Sequence, residues 1–367
     1  MTGREISVVV PVRNGAQYAA QCVACLKAQT LQNVEFIIVD DASTDATLRT
    51  LERETAGDAR FRLLSQPTKA GPLSARMRGV SEASAPVVMF MDFDDEIVPD
   101  ACSVVAETMA RNGVDVFCYA MDAVCADGCD VRALERCRSY LARRSARQGL
   151  VHGAEDCFDL FFSNTGITAS TCDKAVKTEV LKRVYNMIGD GAGLLCAQDF
   201  LQTTLLFLGV ETVCVDQGQI LYHYNFGNGM SGHAPGNVSW EQFLRRTTAI
   251  DAYRRLCRVL AAMDNLDSVQ RKRIEDKFLR SISGTALPEV WKLPADLIPA
   301  GMGVIARKWG TWALPTRDPG QPGDAGQPGG WIHRLSGKLK KLPRRLARFL
   351  KSAFGPCRRH CANGGTR

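Results

Sequence analysis

The chain has 367 residues, 46% of them hydrophobic and 23% charged, which suits one large or two modest globular domains with a real core. No apolar run approaches the roughly 18 residues of a membrane span, and Met1-Thr-Gly-Arg-Glu leads straight into a strand pattern, so no secretory signal is expected. The formal charge is +7, yet eleven Lys and Arg stand from Arg334 onward with no Asp or Glu; the rest is net acidic, which argues against a nucleic-acid-binding core.

Ile6–Val10 reads as a first buried strand, closed by Pro11-Val-Arg13-Asn14-Gly15. Helical spacing follows, with Tyr18, Cys22 and Leu26 on one face. Val34–Val39 is a second apolar strand, ending in Asp40-Asp41-Ala-Ser43-Thr44-Asp45, where Ser43 or Thr44 is expected to cap a helix through Leu48 and Leu51. Arg60–Leu64 is a short third strand, and Ser74–Ala83 a helix that carries Arg76 and Arg78. Val87–Met91, five apolar residues after Pro86, reads as a fully buried parallel strand running into Asp92, Asp94 and Asp95. Side chains alternate along a strand, so Asp92 and Asp94 can share one side and hold a divalent cation. Carboxylate oxygens suit Mg²⁺ or Mn²⁺ with positions left open for phosphates. The same residues also suit an acidic loop that caps a helix near Pro99.

Strands alternating with helices imply βαβ units and a parallel sheet, with ligands bound beyond the carboxyl ends of the strands. Pro11–Asn14, Asp40–Asp41 and Asp92–Asp95 all fall at such ends. The fourteen cysteines sit in apolar patterns (Cys118, Cys196, Cys214, Cys257), and Cys22-x-x-Cys25 has no second pair at zinc spacing. Core packing in a reducing cytoplasm is the expectation.

Four segments together resemble the family-two glycosyltransferases: Ser7–Gly15, Phe36–Asp45, Gly71–Gly79 and Met91–Asp95. The resemblance implies a nucleotide-sugar-binding fold of the GT-A type, a doubly wound, mostly parallel α/β sheet flanked by helices. It implies that Pro11 and Arg13 line the donor site, that Asp41 bonds a uracil-type base, and that Asp92 serves the ribose or the metal shell. Asp94 would then be the direct ligand of Mn²⁺ or Mg²⁺, with Arg76 facing the diphosphate. Arg13 stands where an aromatic is common, and can stack on the base or remain a solvated loop cation. Met77 replaces a usual Asn.

The second half resembles the family more loosely, through Thr171–Lys177, Gly193–Leu201 with Gln198 in place of Glu, and Ile220–Asn225. Asp199 would be the general base; one carboxylate suffices for in-line inversion. Its alternative is a cap on the helix Phe200–Leu208. His223 is either a third metal ligand or an ordinary strand histidine. Residues 126–148 read as basic and irregular, an acceptor loop or a solvated face. Trp240–Met263 and Val269–Ile282 read as helical.

Pro315–Gly330 reads as a flexible linker, and from Trp331 to Phe354 apolar residues recur at helical spacing among Lys and Arg. That pattern suits a peptide lying on an anionic membrane surface, with a nucleic-acid-binding or a solubilising tail as alternatives. The expected layout is therefore a catalytic domain at 1–230 (nucleotide-sugar half about 1–115, acceptor half about 116–230), a helical extension at 231–314, a linker at 315–330 and a basic amphipathic tail at 331–367. The expected activity is inverting, metal-dependent transfer from a nucleotide-sugar donor, such as a UDP-sugar, to a glycan or lipid-linked acceptor. The expected place is the cytoplasm, peripheral on the inner membrane face, with no nucleic-acid partner. A non-catalytic nucleotide-sugar-binding scaffold is the alternative, since Arg13, Met77 and Gln198 depart from the family pattern. A nucleotidyltransferase would want a Gly-rich loop and a lysine after the first strand, which Pro11–Gly15 does not offer.

Overall fold

The computed structural model describes residues 3–125, 129–144, 148–162, 167–227 and 238–310. The linker, the basic tail and the segment 228–237 lie outside the described residues.

The first part of the chain alternates strand and helix: β1 (Ile6–Val12), α1 (Ala19–Lys27), β2 (Val34–Asp40), α2 (Thr47–Thr55), β3 (Phe61–Ser65), α3 (Pro72–Glu82) and β4 (Val87–Phe90). β1 pairs in parallel with β2 and β4, and β2 with β3. Every residue of β1 and β2 is buried, the polar Ser7, Glu35 and Asp40 included, as expected of predominantly apolar strands covered on both faces. Gly79 lets α3 lie close on β1: a Cβ there would fall 2.3 Å from Val9 Cγ1.

Next come β5 (Glu96–Ile97), α4 (Ala101–Asn112), β6 (Val116–Cys125), α5 (Val131–Arg144), β7 (Gly149–His152), α6 (Ala154–Phe162), β8 (Lys174–Lys177), α7 (Thr178–Ile188), α8 (Gln198–Leu206) and β9 (Thr212–Phe226). All nine strands form one sheet in the order β3-β2-β1-β4-β8-β6-β9-β5, with β7 on β9. β8 runs antiparallel to both β4 and β6, so a single sheet passes through the two expected halves. The helices α9 (Trp240–Thr247), α10 (Ala249–Ala261), α11 (Ser268–Ala286) and α12 (Ile298–Trp309) complete the described chain. The α/β architecture with helical C-terminal extension is the one expected.

Four local expectations need correction. β4 is parallel to β1 alone and antiparallel to β8, because Lys174–Lys177 supplies its second neighbour. Neither Ser43 nor Thr44 caps α2, whose N-cap is Ala46; Ser43 Oγ instead accepts from Asn14 N at 2.9 Å. Residues 131–144, expected to be irregular, form α5. Its stripe of Leu134, Cys137 and Leu141 packs on Ala123 and Phe226, a helical spacing hidden by the surrounding arginines. Cys22, Cys118 and Cys214 are buried free thiols as expected, but Cys125 and Cys129 are joined in a disulfide that nothing in their spacing announces.

A buried carboxylate ties these layers together. Glu35 on β2 accepts from Ser7 Oγ at 2.6 Å, Ser84 N at 2.7 Å and Ser84 Oγ at 2.8 Å, joining β1, β2 and the segment before β4. Burial pushes its carboxyl up, but these donors outweigh that and hold it below the usual range.

Candidate active site

The carboxyl ends of β1, β2 and β4 lie side by side, and their loops are stitched to one another. Pro11 is buried opposite Val39 within β1. Beyond it Asn14, at φ 52°, receives the Thr44 N–H on Oδ1 at 2.8 Å. Arg13 between them is half-buried, and its Nε is buried without a partner among the described residues. Asp41 is 3% exposed. Its Oδ1 accepts from Ala70 N at 2.7 Å and Gln66 Nε2 at 2.9 Å, and its Oδ2 from Gly71 N at 2.9 Å. Gly71 takes φ 100°, a backbone shape open to glycine, and starts α3 from there. A carboxylate has about four lone-pair sites; these three bonds leave one open among the described residues.

Anchored in this way, α3 carries Arg76 into the centre of the site. The Arg76 side chain is 3% exposed and bridges two carboxylates: Nη2 reaches Asp92 Oδ1 at 2.6 Å and Nη1 reaches Asp199 Oδ1 at 2.7 Å. Those two side chains are 41% and 40% exposed, so the cation lies beneath and the carboxylates face the opening. The positions are 123 residues apart in sequence for the Asp199 pair, and the fold alone joins them. Desolvation raises the Asp199 carboxyl above the usual range; Arg76 pulls it back in part, and the like charge of Asp92 adds to the rise. Thr171 Oγ1 stands 3.5 Å from the same Asp199 oxygen. Asp199 occupies the first turn of α8, whose N-cap is Ala197 with no side-chain bond, so it does not serve as a side-chain cap.

The acidic run is a turn. β4 ends at Phe90, and Asp95 N bonds back to Asp92 O at 3.1 Å. The strand alternation expected to bring Asp92 and Asp94 to one side therefore does not apply. Burial and the nearby Asp92 both raise the Asp94 carboxyl, which makes no ion pair or hydrogen bond to another described residue. Among the described residues no group of three or more His, Cys, Asp or Glu is placed to hold a metal ion. His223 does not complete one: it sits on β9 opposite Glu96 of β5 and Asp122 of β6, its Nδ1 buried and unbonded among the described residues. The donor set is nonetheless that of a hard cation. Burial and the neighbouring Asp92 both penalise negative charge on Asp94, a penalty that a bound cation would relieve.

Two residues beside the site carry more than their sequence suggests. Tyr222 OH donates to Asp95 Oδ2 at 2.6 Å and accepts from Asp92 N at 3.0 Å. In the sequence Tyr222 shows only as part of an aromatic strand, and Asp95 only as the third of three acids. Lys174, by contrast, is an anchor: its buried Nζ reaches Ser170 O at 2.7 Å and Thr168 O at 3.0 Å.

Residues 7–163 match the family model described as Glycosyl transferase family 2. The chain carries a family 2 glycosyltransferase domain. Within that domain lie Pro11, Arg13, Asp41, Arg76, Asp92 and Asp94, while Asp199 and His223 fall beyond its matched limits. Among curated relatives, glycosyltransferase GlyG of Streptococcus pneumoniae is 34% identical over 111 residues, 30% of this chain and 37% of its own. EpsH of Bacillus subtilis, a putative glycosyltransferase by its description, is 34% identical over 118 residues, 32% of this chain and 34% of its own. YibD of Escherichia coli, described as an uncharacterized glycosyltransferase, is 27% identical over 238 residues, 64% and 65% of the two chains. In GlyG and EpsH the match thus spans little more than a third of the relative's length. Among solved structures, S. aureus TarS 1-349 superposes with a TM-score of 0.59 at 19% identity, over 85% of this chain and 81% of its own. Its complex with UDP-GlcNAc gives 0.60 at 20% identity, over 85% and 82%. At that identity the likeness is one of fold, and it extends the shared architecture well beyond residue 163.

Proposed function

We propose that this protein transfers a sugar from a nucleotide diphosphate donor to an acceptor hydroxyl, with inversion, using Asp199 as the general base. The observation that carries the reading is the Arg76 bridge, which sets Asp199 and Asp92 on one open face at the carboxyl ends of the parallel strands. The sugar would lie between the Asp92–Asp95 turn and Asp199. The raised carboxyl of Asp199 suits it to accept a proton from an attacking hydroxyl at neutral pH. Arg76 fixes its orientation and keeps positive charge beside the departing diphosphate.

The remaining lone pair of Asp41 would take an N–H of the base, with Arg13 and Pro11 beside it. Asp94, with Asp92 adjacent, would hold a Mn²⁺ or Mg²⁺ that neutralises the leaving diphosphate. A UDP-sugar is the first donor to try, since TarS, of the same fold, has been solved with UDP and UDP-GlcNAc. For the acceptor we favour a cell-surface glycan or lipid-linked precursor, with residues 331–367 resting on an anionic membrane. No helix among the described residues is long and apolar enough to cross a membrane.

The test is release of nucleoside diphosphate from a panel of nucleotide sugars by purified full-length protein. At least one donor should be turned over, faster with Mn²⁺ or Mg²⁺ than with chelator. A panel left intact under both conditions overturns the reading.

A further inference from the structure

We infer that Tyr222, Asp95 and Asn225 form a latch that positions the Asp92–Asp95 turn for the metal and the donor, an inference that rests on the function proposed above. The turn lies beyond the end of β4, where strand pairing no longer fixes it. Within itself it has the single backbone bond from Asp95 N to Asp92 O. Arg76 of α3 holds the Asp92 carboxylate from one side, and the other hydrogen bonds to the turn come from β9. Tyr222 OH accepts from Asp92 N at 3.0 Å and donates to Asp95 Oδ2 at 2.6 Å. Asn225 N donates to Asp95 Oδ1 at 2.8 Å, and Asn225 Nδ2 donates to Asp94 O at 2.6 Å. Both oxygens of a carboxylate that is 3% exposed are thus bonded, and the tyrosine ring beside it is fully buried.

What these four bonds avoid is as telling as what they hold. They grip the backbone at Asp92 and Asp94 and the side chain of Asp95. None touches the carboxylate of Asp92, which faces Arg76, or that of Asp94. The two acids proposed to meet the metal and the donor are thereby aimed while remaining available. Burying a carboxylate costs free energy that an apolar pair of similar shape would not. A network of this kind is better explained by the geometry it imposes on the turn than by stability. Tyr222, Asp95 and Asn225 are accordingly positioning residues, acting through Asp92 and Asp94.

The experiment compares wild type with Tyr222→Phe, which keeps the buried ring and deletes the hydroxyl, and with Asn225→Ala, which deletes the half-buried bond to Asp94 O and leaves the buried pair intact. Calorimetry measures UDP binding with and without Mn²⁺, thermal melting monitors the fold, and initial rates give kcat and KM. In each variant Mn²⁺-assisted UDP binding and kcat/KM should fall by about tenfold, the worth of one or two well-placed hydrogen bonds. UDP binding without Mn²⁺ should stay at the wild-type value. The latch is overturned if both variants keep wild-type Mn²⁺-assisted binding, or if they lose binding equally with and without the ion, which is the mark of general damage. Should Tyr222→Phe fail to fold, Asn225→Ala alone decides. If wild type shows no Mn²⁺-assisted UDP binding, the same titration is run with the nucleoside diphosphate released in the donor panel; no Mn²⁺-assisted binding there overturns the proposed metal site, and the latch with it, whereas a variant effect against a binding-competent wild type tests the latch alone.

Discussion

Asp199→Asn should reduce kcat by roughly 10²- to 10⁴-fold, the usual contribution of a general base, while donor binding stays near wild type. The amide keeps the size of the carboxylate and can still accept from Arg76 Nη1 through its oxygen, so the bridge that now measures 2.7 Å retains one arm. What it loses is the ability to take a proton. The pH profile gives a second reading of the same residue. The Asp199 carboxyl is raised above the usual carboxylate range, and the ionised form is the active one. Activity should therefore hold at the higher pH and fall as pH drops through that raised pKa, with the acid limb above the ordinary value of about 3.9. In Asp199→Asn the residual rate should lack that limb. Initial rates across pH with a saturating donor measure both effects; a variant of near-normal rate would assign the proton to another group or to water.

Asp94→Ala should abolish transfer and erase the gain in nucleotide affinity that Mn²⁺ brings. The fold should survive, because the Asp94 carboxylate makes no ion pair or hydrogen bond to another described residue and is raised by burial and by Asp92. Removing a charge that burial and a like neighbour both penalise should leave the melting temperature unchanged or higher. Calorimetric titration of UDP with and without Mn²⁺ reads the effect directly. Ion-assisted binding equal to wild type would move the metal away from this turn.

Much of the fold was legible because its first part is built from residues that allow few readings. Ile6–Val12 and Val34–Asp40 are short, predominantly apolar and β-branched segments closed by polar loops, the pattern of strands buried on both faces. Their carboxyl ends then mark a ligand edge by topology alone. What remained hidden depends on long-range contact. The Arg76–Asp199 bridge joins α3 to α8 across a sheet whose order no local pattern encodes. The turn at Asp92–Asp95 continues an apolar strand without a proline or glycine to announce the break. Tyr222 looks like packing until Asp95 is seen beneath its hydroxyl. In α5 the arginines mask a helical stripe, since Leu134 and Leu141 are its only large aliphatic members, beside the small Ala133 and Cys137.

The most direct measurement is proton NMR of the product formed when the donor that releases diphosphate is incubated with a hydroxyl acceptor and Mn²⁺. An α-linked donor sugar should appear as a β-linked glycoside, the outcome of one in-line displacement with Asp199 as base. Retention of the donor's anomeric configuration, or free sugar with no glycoside, would contradict the assignment of Asp199 and the transfer reaction built on it.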